Sequence, residues 1–460
     1  MNTDSTIAAA ATAPAPAGVA IVRISGPRAA SALRTVFRGS SDPCADPRRL
    51  VFGEFIDPQS GSTIDRGLAV FFAGPNSYTG EDVAELQFHG SPLIAQRILG
   101  SLFALGIEPA EPGEFTKRAF LNGKLDLVQA EAVADLIAAT SERALSVAAE
   151  QLNGRLSAAL HAVGEPLRNA VAELEAGIDF SDEDITPASL SAVGEELKQA
   201  HREIGQLLGS YSFGQVVRDG FRVLLSGRPN VGKSSLLNLL VGRERAIVTP
   251  ISGTTRDLIE EEVTLKGYRF IVCDSAGITD SSDTVERIGI ERARERIGWA
   301  DLVLFVVDAD DRAESWKEVL ESLRGKANAV WMITNKIDLN PGAFSTHYCD
   351  STVCARNFFL SASTKTGFDD LTAALVSEVE SRLVSHAETS SIVTNARQRS
   401  GLLRAEEALQ RASGALDSRA PAEIVAAETR LALSELKEIV GETYTEDILG
   451  RIFSRFCIGK

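Results

Sequence analysis

At 460 residues the chain is too long for one hydrophobic core, and about two to four domains are expected. Hydrophobic residues at 44% and charged residues at 24% place it with globular chains rather than disordered or fibrous ones. A formal net charge of −16 excludes wholesale adhesion to nucleic acid through a basic body, so any RNA contact must use a local patch or a partner protein.

The chain opens on an alanine-rich stretch, Met1 to Ala17, with Asp4 and no basic residue before Arg23, which does not fit a secretory leader. No uncharged apolar run is long enough to span a membrane. The cysteines Cys44, Cys273, Cys349, Cys354 and Cys457 lack metal spacing apart from the C-x4-C of Cys349 and Cys354, so thiols in a reducing cytoplasm are expected. The scattered histidines assemble no zinc site. From Gly18, short strands alternate with turns: Val19–Ile24 ended by Ser25-Gly26-Pro27, Gly67–Phe72 stopped by Gly74-Pro75-Asn76, and Asp82–Phe88 closed by His89-Gly90. Pro92–Leu105 has helical periodicity, and a small α/β or α+β domain accounts for the order.

From about Phe120 glycine and proline thin out and long helices are expected. Leu152, Leu156, Leu160, Val163, Leu167, Val171, Leu174 and Ile178 form a continuous apolar stripe at helical spacing, with a kink expected at Gly164-Glu165-Pro166. The helical texture resumes from about Ser381, with Leu402, Leu403, Leu409, Ile424, Leu431, Leu436 and Ile439 as core candidates. Between these parts, Phe221–Leu225, Tyr268–Cys273, Leu302–Asp308, Ala329–Thr334 and Asn357–Leu360 read as strands of a parallel sheet covered on both faces. The expected architecture is an α/β P-loop domain inserted into an α-helical bundle and preceded by a small α+β domain. The boundaries are 1–119, 120–216, 217–380 and 381–460.

The inserted segment carries the chemistry. Gly227-Arg228-Pro229-Asn230-Val231-Gly232-Lys233-Ser234 lies between a strand and a helix that begins Ser235-Leu236, the context of a phosphate-binding loop. Its backbone N–H groups and helix N-terminus would cradle phosphate, Lys233 would reach the β- and γ-phosphates, and Ser234 would hold Mg²⁺. Asp274-Ser275-Ala276-Gly277 follows the next strand. Here Asp274 would support Mg²⁺ through water, and the Gly277 N–H would sense the γ-phosphate. Asn335-Lys336-Ile337-Asp338 places a carboxylate that can accept from guanine N1–H and N2–H₂, donors that adenine does not offer in that arrangement. Ser361-Ala362-Ser363 would complete the base pocket. These elements, in order and each at a strand's C-terminal end, describe a GTPase.

Thr249-Pro250-Ile251-Ser252-Gly253-Thr254-Thr255-Arg256-Asp257 reads as the first switch, with Thr255 completing the Mg²⁺ shell. Ile278 stands where a Ras-type enzyme has a water-orienting glutamine, so another polar group must take that task. Glu286 is the best placed carboxylate. Position alone leaves it open between that role and an exposed acid at a helix start. A monovalent cation could replace an arginine finger, given oxygens from Asn230 and the Thr249–Thr254 carbonyls.

These motifs resemble the MnmE (TrmE) family of tRNA-modification GTPases over nearly the whole chain. The resemblance rests also on Gly18–Gly26, Pro75–Asp82, Pro112–Thr116, Arg118–Leu127 and the C-terminal Cys457-Ile458-Gly459-Lys460. It implies a cytoplasmic homodimer that forms a heterotetramer with a flavin partner, MnmG, and installs a carboxymethylaminomethyl-type group on the wobble uridine of certain tRNAs. It further implies a dimerising N-terminal domain that binds 5-formyltetrahydrofolate or a related one-carbon folate through Arg23, Glu81, Lys124 and Lys460. Cys457 is implied in the modification chemistry. K⁺ is implied at Asn230, Thr249, Ile251 and Thr254, with Glu286 positioning water. The chain departs from the family's usual pattern at Ala13–Ala17, at Pro250 and at Ser275. A GTP-switch without RNA chemistry shares the nucleotide motifs but has no need of Arg23, Glu81, Lys124 or the Cys457–Lys460 end.

Overall fold

A computed structural model describes residues 5–179, 187–242, 260–274, 297–312, 316–321, 323–340, 354–384 and 391–460. Its contacts divide the chain into two units. The first comprises Met1–Ile137, Gln151–Arg168 and Thr429–Lys460, and the second Ala138–Glu150 and Asn169–Glu428.

In the first unit a seven-stranded sheet has the order β3-β4-β5-β6-β2-β1-β7. The strands are β1 (Ile7–Ala10), β2 (Ala17–Ser25), β3 (Phe37–Gly39), β4 (Val51–Ile56), β5 (Thr63–Phe72), β6 (Val83–Gly90) and β7 (Glu108–Pro109). Helices α1 (Ala29–Val36) and α2 (Pro92–Ala104) accompany them. Alternation along β2 turns Val22 and Ile24 into the core, where both are fully buried, and leaves Arg23 on the other face. Val22, Ile24, Leu33, Phe55, Leu86 and Leu102 belong to one core cluster. Within it Phe55 meets Phe37 at 5.3 Å and Phe88 edge-on at 6.1 Å between ring centroids. Burial of each such side chain contributes about 1.5–3 kcal/mol. Four strands, β1, β3, β4 and β7, escape the sequence reading. β1 is composed of Ile and Ala, weak strand formers for the most part, and β4 follows a loop with no hairpin signal. Pairing makes them: β1 lies between β2, antiparallel, and β7, parallel.

A smaller core in the same unit joins α3 (Glu114–Leu121) and α4 (Leu127–Ala138) to α13 (Glu446–Phe453). Phe120, Leu127 and Val133 pack there with Leu449, Ile452 and Phe453. The Thr445 hydroxyl caps α13 by accepting from the Ile448 N–H.

The expected helical stripe is divided. Leu152 ends α5 (Glu142–Leu152), Gly154 takes φ +83°, and α6 (Arg155–Asp179) begins anew and continues through Pro166. Leu156, Leu160, Val163, Leu167, Val171 and Leu174 are buried, whereas Leu152 and Ile178 are half-buried. On α12 (Ala422–Val440), the core candidates Ile424 and Leu431 are 48% and 43% exposed. The buried line runs instead through Val425, Thr429, Ala432, Leu436 and Ile439, and a seven-residue step keeps Ile424 and Leu431 together beside it.

In the second unit a six-stranded sheet has the order β13-β12-β11-β8-β10-β9. Its strands are β8 (Phe221–Ser226), β9 (Glu260–Leu265), β10 (Tyr268–Asp274), β11 (Leu302–Asp308), β12 (Val330–Asn335) and β13 (Arg356–Phe359). All neighbours are parallel except β9, which pairs antiparallel with β10 along the edge. The sequence reading missed β9 because its Glu260-Glu261-Glu262 start is poor strand material; the tight Lys266-Gly267 return supplies the pairing. The unbroken apolar strands serve two cores. Leu302, Leu304 and Val306 of β11 face one, with α8 (Lys233–Val241) and α10 (Phe368–Val384). Val303, Phe305 and Val307 face the other, with Trp316 and Leu320, the latter on α9 (Lys317–Glu321). The long helix α7 (Pro187–Asp219) packs on α10, on α11 (Ala396–Asp417) and on β10, then leads through Gly220 into β8. The Ser210 hydroxyl of α7 accepts the Val393 N–H at 3.0 Å, fixing the chain where it returns from the sheet to the helices. Among the described residues no helix is long and apolar enough to cross a membrane.

Candidate functional site

The carboxyl ends of β8, β10, β12 and β13 carry the nucleotide motifs, as the topology of a doubly wound sheet requires. Between β8 and α8 the loop passes so close to β11 that a Cβ on Gly227, at φ +141°, would stand 2.2 Å from Val306 O. Glycine is therefore obligatory there. Asn230 also takes a left-handed conformation, φ +66°, and Gly232 precedes the helix at φ +95°. Val231 is buried, while Asn230, Ser234 and Ser235 are exposed at the loop surface.

Lys233 folds back over this loop, and its ammonium donates to Gly227 O and Arg228 O, each at 2.9 Å. The residue is 6% exposed, and burial lowers the lysine's pKa against the opposing pull of Asp274. An ammonium whose direct partners among the described residues are neutral carbonyls is suited to an added anion, the charge that phosphate supplies. The Ser234 hydroxyl donates to Asp274 Oδ2 at 3.1 Å. A hydroxyl from the first turn of α8 and a carboxylate from the end of β10 form a hard-oxygen pair that fits Mg²⁺.

The base-reading side is tied to the same loop. Asn335 is 1% exposed; its Nδ2 donates to Val231 O at 2.9 Å and its Oδ1 accepts the Ala362 N–H at 3.0 Å. Lys336 Nζ donates to Asn230 O at 2.8 Å and to Asp308 Oδ2 at 2.6 Å. Asp338 is exposed and receives the Ser363 hydroxyl at 3.2 Å, while Ser361 and Ser363 are 3.0 Å apart at their hydroxyls. The Ser361 hydroxyl first, then the Asp338 N–H and Ser363, hold this carboxyl below the ordinary aspartate range. It is thus an ionised acceptor at the pocket rim, as guanine N–H groups require. The Ala362 N–H already serves Asn335, so its use by a guanine oxygen means sharing.

The structure brings Asn230, Val231, Gly232, Lys233, Ser234, Ser235, Asp274, Asn335, Lys336, Asp338, Ser361, Ala362 and Ser363 onto one sheet edge. Thr249 to Thr255, Ser275, Ala276, Gly277, Ile278 and Glu286 lie outside the described residues. Asp308 was missed: as the last residue of a strand it carries no motif, and only its pairing with Lys336 reveals it.

In the first unit the residues expected at a folate fall in two groups, Arg23 with Lys460 and Glu81 with Lys124. Arg23 Nε and Nη2 each reach Glu85 Oε1 at 2.9 Å, and the guanidinium carbon lies 5.3 Å from the Tyr78 ring centroid and 5.7 Å from that of Phe115. Its Nη1 is buried with no acceptor among the described residues. The C-terminal segment closes on it: Gly459, at φ +97°, presses so near β1 that a Cβ would stand 2.0 Å from Ala10 O. Lys460 is carried inward, where burial first, and the Arg23 charge next, lower its pKa against Glu85. Two cations around one carboxylate, with an orphan donor, fit an anionic or carbonyl-rich ligand such as a folate.

Glu81 Oε2 accepts the Ser25 hydroxyl at 2.6 Å, and Arg118 Nη1 reaches both carboxylate oxygens at 3.2 and 3.3 Å. Held there, the carboxylate still has accepting capacity for an external N–H donor. Lys124 Nζ donates to Pro75 O at 3.1 Å, and its stem crosses Gly80 beside Glu81. Cys457 is exposed, in contrast to Lys460. Arg118 and Glu85 were missed as well, since neither the mixed sequence of α3 nor the alternation along β6 marks a charged residue as a site contact.

Comparison with known proteins covers the chain end to end. Residues 6–124 match the family described as GTP-binding protein TrmE N-terminus, and residues 127–457 match the MnmE helical domain. A protein of Geobacter sulfurreducens named tRNA modification GTPase MnmE is 42% identical over 461 residues, with 100% of both chains covered. Proteins of the same name from Koribacter versatilis and Vibrio cholerae are each 41% identical, over 464 and 473 residues, again with 100% of both chains covered. A GTPase fold set between helical segments, a small α+β domain before it, and family matches that together span residues 6–457 have one consistent explanation: the chain belongs to the MnmE (TrmE) family of GTP hydrolases.

Proposed function

We propose that this chain is a K⁺-activated, Mg²⁺-dependent GTPase that works with a MnmG-like flavoprotein on tRNA. Together they add a carboxymethylaminomethyl-type group to C5 of the wobble uridine. The observation that carries this beyond GTP hydrolysis is the convergence of Lys460 and the orphan Arg23 donor in one cluster, which a bare GTP-switch does not need. The relatives' name, tRNA modification GTPase, supports the substrate class.

In this reading Lys233 and the loop N–H groups hold the phosphates, Ser234 and Thr255 hold Mg²⁺, and Asn230, Thr249, Ile251 and Thr254 hold K⁺. The bound cations offset charge developing on the phosphates. Glu286 orients the attacking water. Arg23, Glu81, Lys124 and Lys460 bind 5-formyltetrahydrofolate or a related one-carbon folate, and Cys457 serves the modification chemistry. The domains run 1–119, 120–216, 217–380 and 381–460, and the protein works as a cytoplasmic homodimer within a heterotetramer.

The deciding experiment is mass spectrometry of wobble uridines from cells lacking the protein. Loss of the modified nucleoside is expected, and unchanged tRNA would refute the reading. Turnover of GTP by the purified full chain should be faster in KCl than in NaCl at equal ionic strength; equal rates remove the cation role. Glu286→Ala should lower kcat at nearly constant KM, because an interaction made only in the transition state is lost.

A further inference from the structure

We propose that Asp308 is a positioning residue for nucleotide binding, acting through Lys336 on the phosphate loop. Asp308 ends β11, and its register partner across the sheet is Asn335, the residue before Lys336. Its carboxylate is itself held in place: Oδ1 accepts the Asp310 N–H at 3.1 Å, and Oδ2 accepts from Lys336 Nζ at 2.6 Å. The same ammonium donates to Asn230 O at 2.8 Å.

Lys336 and Asn230 both occupy the left-handed region, with φ of +64° and +66°. Non-glycine residues persist there only when surrounding contacts hold them. One ammonium thus links two strained backbones, one in the base-reading loop and one in the phosphate loop. The Lys336 side chain is 33% exposed and that of Asp308 19%, so the pair is largely withdrawn from solvent. A charge at that depth without its counter-charge is poorly compensated. When Asp308 is replaced by a neutral residue, water competes for the ammonium and Asn230 O loses its donor. Nucleotide binding must then order both loops, a cost that weakens affinity for GDP and GTP alike.

The test titrates the full chain and its variants with mant-GDP and mant-GTP, and records thermal unfolding of each without nucleotide. Asp308→Ala should bind both nucleotides about tenfold more weakly, in line with the loss of one charged hydrogen bond. Asp308→Asn, which keeps an acceptor for Lys336, should fall between it and the parent. The double variant Asp308→Ala/Lys336→Met should bind no more weakly than Lys336→Met alone, since both changes break the same link. Losses that multiply in the double variant overturn the proposal. So does Asp308→Asn with a lowered melting temperature and parental affinity, which would mark a role in the fold only. If the alanine variant does not fold, the asparagine variant and its double with Lys336→Met carry the same comparison.

Discussion

Asp338→Asn should lower GTP affinity by about 10²- to 10³-fold, because two charge-assisted hydrogen bonds of about 1.5–3 kcal/mol each are lost or inverted. The carboxylate stands at the pocket rim as an acceptor-only group, while an amide presents N–H donors to the N1–H and N2–H₂ donors of guanine. Xanthine carries an oxygen at that position, so the same variant should gain affinity for xanthosine triphosphate. Competition titrations with GTP, XTP and ATP measure the exchange. Equal losses for all three nucleotides would show that the change had damaged the loop rather than its specificity. The pH dependence has a defined sign. The folded-state pKa of Asp338 is depressed, chiefly by the Ser361 hydroxyl, so the acceptor form is present above the ordinary aspartate range. It persists into more acid solution than an unperturbed aspartate would, and base recognition fails only as pH falls through the lowered value.

Lys233→Ala should reduce GTP turnover by about 10²- to 10³-fold, the scale seen when one preorganised charge is removed from a reacting centre. The ammonium sits over Gly227 O and Arg228 O, buried and lacking a direct anionic partner among the described residues. Its stabilisation of the free protein is small because burial already disfavours its charge, whereas nucleotide phosphate supplies the missing counter-charge. The variant should therefore unfold near the parent's temperature while losing activity. Lys233→Arg should not restore it, since a planar fork cannot occupy the place of a compact ammonium between two carbonyls. Full turnover by either variant would remove Lys233 from the mechanism.

Much of the nucleotide site was legible because it is local. The Gly227–Ser234 loop, Asp274, the Asn335–Asp338 element and Ser361–Ser363 each follow a strand within a few residues, and their spacing is dictated by backbone N–H groups, turns and the helix start. The apolar β11 reads as a doubly covered strand for the same reason, since every side chain has a core to enter. The misses are non-local. β1 and β9 are strands through their partners rather than their composition. Ile424 and Leu431 have the periodicity of core residues but fall on a line beside the buried one, and hydrophobicity does not say which side of a helix finds a neighbour.

The sequence by itself determined that a phosphate loop, a guanine-reading carboxylate and a helical framework occur in one chain, because each is written in adjacent residues. Only the tertiary structure decided that Asp308 faces Lys336, that Arg118 and Ser25 hold Glu81, and that Lys460 returns to Arg23 and Glu85. Those pairings depend on strand register and on where the chain's end comes to rest, and both are set by the burial of side chains far away in sequence.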